Sequence, residues 1–306
     1  MHFETSVIML LGLLISLVEV VAAPSTSPDD ERPVVADKEV SKDGPETRPA
    51  LPTVFFVGDS TMNNNAPLRG WASEAGVYFD PSKINVVNRA IGGRSSKTYV
   101  NEGRWDRVVN ELKSGDFVVV QFGHNDVGQF DDPAGKFRPS LHGEGEETAE
   151  LTKPDGSKET VHTFGWYMRK FGNDARAKGA TVIFCSMVPH KDWSEDGKHI
   201  KRGERAGHVV WTRNAAAATG GFFVDLNEIS AIGMEKLGPD EVEKLFGDKR
   251  THTTLAGAKH NARCFIAGLK ALDPNPLAPY LSAEAQAVEP ADKSLAVSAP
   301  ATVPSR

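Results

Sequence analysis

The chain is poor in cysteine: Cys185 and Cys264 are the only two thiols among 306 residues. That excludes a disulfide-dense scaffold and a cysteine-only zinc site. Basic residues are in deficit, with 35 Lys and Arg against 41 Asp and Glu, for a formal charge of −6. This balance excludes a nucleic-acid binder that works by bulk positive charge. No uninterrupted apolar run reaches the ~20 residues of a membrane-spanning helix; the segment VIMLLGLLISLVEVV at 7–21 contains Glu19. No internal repeat is visible, and no glycine-rich loop ends in the Lys-Ser/Thr of a phosphate cradle. What is present is ordinary globular usage, 40% apolar and 25% charged, enough for a sizeable core.

The ends read differently from the middle. Residues 7–21 suit the apolar region of a secretory signal, with small residues before a cut between Ala22 and Ala23, although the opening MHFET carries no Lys or Arg. Residues 1–22 are therefore read as a signal peptide. The product is expected to be secreted or periplasmic, with no membrane association after cleavage. Residues 23–50 are rich in Pro, Ser, Asp, Glu and Lys and read as a disordered linker. Residues 283–306, biased to Ala, Ser, Pro and Val, read as a disordered tail. The folded unit then spans 51–282, a single domain by size, and a monomer is expected.

Within that unit short apolar runs alternate with helical patterns. Thr53–Val57, Ile84–Val87, Asp116–Gln121, Ala180–Met187 and Gly221–Asp225 have the β-branched and aromatic character of buried strands. Trp105, Val108, Val109 and Leu112 share one helical face; Val161, Phe164, Met168, Phe171 and Ala175 form a second stripe, and Leu255, Ala258, Ala262, Phe265 and Leu269 a third. The alternation predicts an α/β fold, about five parallel strands covered on both faces. In such sheets reactive groups gather at the carboxyl ends of the strands.

Gly58-Asp59-Ser60-Thr61 follows the first strand. A serine there presents its hydroxyl at the sheet rim, or simply caps a helix. Gly92-Gly93 follows the second strand, as an oxyanion-binding N–H turn or a plain glycine turn. Gly123-His124-Asn125-Asp126 follows the third, and the Asn125 amide can donate to an oxyanion. His124 and Asp126 have ligand chemistry, but no further cluster has metal-site spacing. His252 precedes the third helical stripe, either as a general base held by a carboxylate or as an exposed helix-start residue.

Taken in order, Gly58-Asp59-Ser60, Gly93, Gly123-His124-Asn125-Asp126 and His252 resemble the four blocks of the GDSL (SGNH) hydrolase superfamily. The segments NRAIGGRSSKTY, ETVHTFGWYMRKF and THTTLAGA are similar to those of rhamnogalacturonan acetylesterases, a carbohydrate esterase group. The resemblance implies a three-layer α/β/α sandwich. It implies Ser60 as nucleophile, His252 as base, and the Ser60 N–H, the Gly93 N–H and the Asn125 side chain as oxyanion donors. The substrate implied is an O-acetylated pectic polysaccharide, with no metal or organic cofactor. An esterase for xylan, lipid or a small ester is the second reading, and a binding protein with a dead site the third.

One position departs from the pattern. The family's aspartate stands three residues before its histidine; here that position is Lys249, and Asp248 lies four before. Asp248 is taken as the acid, since no other carboxylate occurs upstream before Glu243. Arg69, Arg94, Lys97, Lys191 and Arg202 are expected near strand-end loops, where they attract pectic carboxylates or are ordinary solvated charges. Trp71, Trp166 and Trp193 are candidates for stacking on sugar rings, with Trp166 assigned to the edge of a packed helix. Cys185, in a buried strand, is expected as a free thiol.

Overall fold

The computed structural model describes residues 47–202 and 206–298. The expected signal peptide and residues 23–46 of the expected linker lie outside them, as does 299–306. The main sheet contains β1 (Thr53–Gly58), β2 (Asn85–Asn88), β3 (Phe117–Gln121), β6 (Thr181–Cys185), β7 (Phe222–Val224) and β8 (Ala296–Val297). A separate antiparallel hairpin is made by β4 (Thr148–Thr152) and β5 (Lys158–His162). The helices are α1 (Ser96–Asn101), α2 (Arg104–Glu111), α3 (Phe164–Ala177), α4 (Ala206–Thr219), α5 (Leu226–Leu237), α6 (Pro239–Glu243), α7 (Leu255–Ala271) and α8 (Ala283–Gln286).

The strand order is β2-β1-β3-β6-β7-β8. The first five strands run parallel, as expected, and β8 pairs antiparallel with β7. Alternation along β1 shows why both faces are covered. Val54 and Phe56 enter one core with Trp71, Phe265 and Leu269, while Phe55 and Val57 enter the other with Trp105, Phe164 and Phe171. Helices α5 and α7 thus lie on one side of the sheet and α2 and α3 on the other, an α/β/α sandwich. The chain leaves β1 for β2 on one side, then crosses to β3 on the other. The crevice outside the carboxyl ends of β1 and β3 is therefore the switch point, where ligands bind in open parallel sheets.

Three expectations need correction. Val161 belongs to β5, not to the following helix, which begins at Phe164 after the Thr163 cap. Its spacing to Phe164 mimics helical period because both residues are wholly buried from different elements. The tail is not loose between 283 and 298: Ala285 and Val288 are buried, and β8 extends the sheet. Small side chains close this part of the core where composition suggested too little apolar surface. The stretch 47–50 is also attached, since the Arg48 N–H donates to Asn85 Oδ1 at 2.9 Å. Both cysteines are buried free thiols. Among the described residues no helix is long and apolar enough to cross a membrane.

Candidate active site

Strand β1 delivers Ser60 to the rim through a turn that tolerates no side chain at Gly58. A Cβ there would meet the Gln121 carbonyl oxygen at 2.5 Å. The next residue, Asp59, is fully buried and accepts from both the N–H and the hydroxyl of Thr61, each at 2.8 Å. Gln121 Nε2 donates to the same Thr61 hydroxyl at 2.6 Å, and Trp71 Nε1 donates to Gln121 Oε1 at 2.9 Å. This buried chain of polar bonds fixes the Ser60 turn to β3. It also removes Trp71 from sugar stacking: the ring is 0% exposed and belongs to the core.

Ser60 Oγ lies 2.8 Å from His252 Nε2, across 192 residues of sequence. On the far side of the ring, His252 Nδ1 lies 2.5 Å from Asp248 Oδ2. The other carboxylate oxygen, Oδ1, accepts the backbone N–H groups of Arg250, Thr251 and His252 at 2.9, 2.7 and 3.0 Å. Partial burial pushes the Asp248 carboxyl upward, but the bonds from the His252 ring and the three N–H groups overcome it and hold the pKa well below the usual carboxylate range. An ionised carboxylate only accepts, so Nδ1 carries the proton. In the neutral ring Nε2 then presents its lone pair to the Ser60 hydroxyl. The four-residue spacing is accommodated by the same geometry, because Arg250, Thr251 and His252 turn their N–H groups toward the carboxylate.

The Gly92-Gly93 turn runs against Ser60: a Cβ on Gly92 would lie 3.5 Å from Ser60 Cβ. Gly93 has φ +75°, a conformation L side chains rarely adopt. Asn125 is oriented at both ends of its amide. Nδ2 donates to the Arg94 carbonyl at 3.1 Å, and Arg138 Nη1 donates to Oδ1 at 3.1 Å. Next to it, Asp126 Oδ1 accepts the Ser96 hydroxyl at 2.5 Å, tying the β3 loop to the start of α1. Full burial pushes the Asp126 carboxyl up to about 6, against the bonds from Ser96. The fold thus joins Ser60, His252 and Asp248 in one hydrogen-bonded line, sets Gly92 beside Ser60, and ties Asn125 to the Arg94 carbonyl that follows Gly93. Asn125→Ala is expected to lower turnover by about 10²–10³ with an unchanged melting temperature; initial rates on a chromogenic acetate ester check it.

Two supporting residues escaped the sequence reading. Arg138 lies on an irregular loop and matches no motif. His190 follows β6, so the strand-end rule had a signal for it; its Nδ1 is 3.0 Å from the hydroxyl of Thr251, the residue before His252. The expected cationic residues are all paired. Arg69 meets Glu74, Arg94 meets Glu102, Lys191 meets Glu243, and Arg202 meets Glu228 and Glu235. Lys97 is no surface charge: it is fully buried on α1, 2.8 Å from Glu159 of the β4-β5 hairpin. Trp166 is half-buried and stacks on His162 at 3.7 Å between ring centroids, at the start of α3.

Residues 56–260 match the model of the GDSL-like lipase/acylhydrolase family. The chain belongs to that family and is a carboxylic ester hydrolase. It is 36% identical over 215 residues to a rhamnogalacturonan acetylesterase of Emericella nidulans, covering 70% of this chain and 83% of that one. It is 27% identical to the rhamnogalacturonan acetylesterase RhgT of Bacillus subtilis, over 72% of this chain and 90% of the relative. Among solved structures, the B. subtilis protein YxiM superposes with a TM-score of 0.57 at 25% identity, over 72% of this chain. The present chain spans 56% of that solved one.

Proposed function

We propose that this protein is a serine esterase that removes acetyl groups from O-acetylated pectic polysaccharide. The observation that carries the reading is the continuous hydrogen-bonded line from Ser60 Oγ through the His252 ring to Asp248. A serine hydroxyl is a weak nucleophile and needs such a base. Ser60 Oγ attacks the acetyl carbonyl carbon while His252 Nε2 takes the hydroxyl proton. The carbonyl π pair moves onto oxygen, where the Ser60 and Gly93 N–H groups and the Asn125 amide receive it. Each such donor is worth about 3–4 kcal/mol in the transition state. As the tetrahedral intermediate collapses, the sugar–oxygen bond to carbon breaks and the imidazolium returns its proton to the departing sugar hydroxyl. Water, deprotonated by the same ring, then attacks the acetyl-serine, releasing acetate and restoring Ser60. Asp248 holds the ring and stabilises its cationic form.

The acetyl and pectic parts rest on the rhamnogalacturonan acetylesterases among the relatives. The apolar run at 7–21 supports action outside the cytoplasm, secreted or periplasmic. The test is acetate release from acetylated rhamnogalacturonan beside acetylated xylan at matched acetyl content. A clear preference in kcat/KM for the pectic polymer is expected. Equal or greater release from xylan would move the assignment to a general glycan deacetylase.

A further inference from the structure

An asparagine amide serves an oxyanion in one orientation only. Its nitrogen must face the developing charge, because its oxygen would repel it. Two one-way partners set the direction of Asn125. Nδ2 donates to the Arg94 carbonyl at 3.1 Å, and a carbonyl can only accept. Arg138 Nη1 donates to Oδ1 at 3.1 Å, and a guanidinium can only donate. An inverted amide would turn its oxygen to the carbonyl and its nitrogen to the cation. Arg94 uses one of the two Nδ2 hydrogens, which leaves the second for a substrate.

The chain holds Arg138 for this contact. Lys136 and Phe137, directly before it, both have φ +53°, in the left-handed region that L side chains rarely adopt. The Phe137 N–H donates to the Asp132 carbonyl at 3.2 Å, and the Arg138 N–H to the Gly135 carbonyl at 3.1 Å. Arg138 Nε donates to the same Gly135 carbonyl at 3.3 Å. From the other side, the Ser95 hydroxyl donates to the Arg138 carbonyl at 2.6 Å. Ser95 caps α1 two residues after Gly93. Arg138 thus reaches the glycine turn as well as Asn125: a Cβ on Gly93 would lie 3.6 Å from Arg138 Nη1.

We propose that Arg138 is a positioning residue for ester hydrolysis: its guanidinium locks the Asn125 amide with the nitrogen toward the oxyanion and strengthens that nitrogen as a donor. This role rests on the esterase reading above, in which Asn125 is an oxyanion donor. A cation on the amide oxygen draws electron density from the nitrogen, so the N–H bonds become more polar. A donor already fixed in place also needs no reorganisation when charge develops. Truncating the side chain removes only this influence, because the Ser95 bond uses the backbone carbonyl and outlasts it.

The experiment is a double-mutant cycle on the full chain, read as initial rates on a chromogenic acetate ester. Arg138→Ala is expected to lower kcat by about 10–10², with KM changed by less than about twofold and the melting temperature kept. Arg138→Ala added to Asn125→Ala should cost less than about twofold beyond Asn125→Ala alone, since the guanidinium acts through the amide. Full multiplication of the two losses, or native kcat in Arg138→Ala, would overturn the role. A loss confined to KM would overturn it too, and make Arg138 a substrate-binding group. If the alanine variant melts early, Arg138→Met goes through the same cycle and is judged by the same outcomes. Asn125→Ala alone separates the two readings. Native turnover there removes the oxyanion donor and the role of Arg138 with it, whereas an impaired Asn125→Ala beside a native Arg138→Ala removes Arg138 only.

Discussion

Ser60→Ala is expected to lower ester hydrolysis by at least about 10⁴-fold while leaving the melting temperature unchanged. Both halves follow from the turn. The Ser60 hydroxyl bonds His252 Nε2, whereas the conformation of the turn is held by Asp59, Thr61 and Gln121. Deleting one oxygen removes the bond-forming atom and leaves the scaffold's buried bonds intact. The donors proposed for the oxyanion are untouched by the change, so a small residual rate over water is expected. An organophosphonate should label the native protein and spare the variant. A folded Ser60→Ala protein with appreciable activity would remove Ser60 as the nucleophile.

Asp248→Asn is the second large effect, about 10⁴-fold in kcat. The asparagine oxygen can still accept the three backbone N–H groups that Asp248 Oδ1 takes now. Its NH₂ group would then face His252 Nδ1, so Nδ1 must accept and Nε2 must carry the proton. A protonated Nε2 cannot receive the Ser60 hydrogen. The loop is kept and the tautomer is wrong, so the loss should fall on turnover with the melting temperature little changed. Glu243→Gln is the control, because Glu243 pairs with Lys191 outside this line. If Asp248→Asn retained native turnover while Glu243→Gln lost it, the acid would be Glu243.

The strand ends were legible because the chemistry there is local: a few short polar motifs stand directly behind apolar runs, and the parallel sheet gathers them. The position of the acid was less legible. A carboxylate four residues from its histidine works only because Arg250, Thr251 and His252 turn their N–H groups inward, which is a property of backbone angles. The β4-β5 hairpin was missed because only Leu151 and Val161 are buried along its two strands. Such a ribbon has no apolar alternation to read. Lys97 shows the limit for charge: sequence gives its type, but not that Glu159, 62 positions away (159 − 97), accompanies it into the interior.

The short final strand has a practical meaning. It covers the outer backbone groups of β7, through Phe223 opposite Val297 and Val224 opposite Ala296. Exposed strand edges are templates for joining another chain. A protein shortened at residue 282, where composition places the domain boundary, would bare that edge together with the apolar surface now under Ala285 and Val288. Clumping during purification would be its expected fate, and a fused affinity handle belongs after Val297, never in place of it.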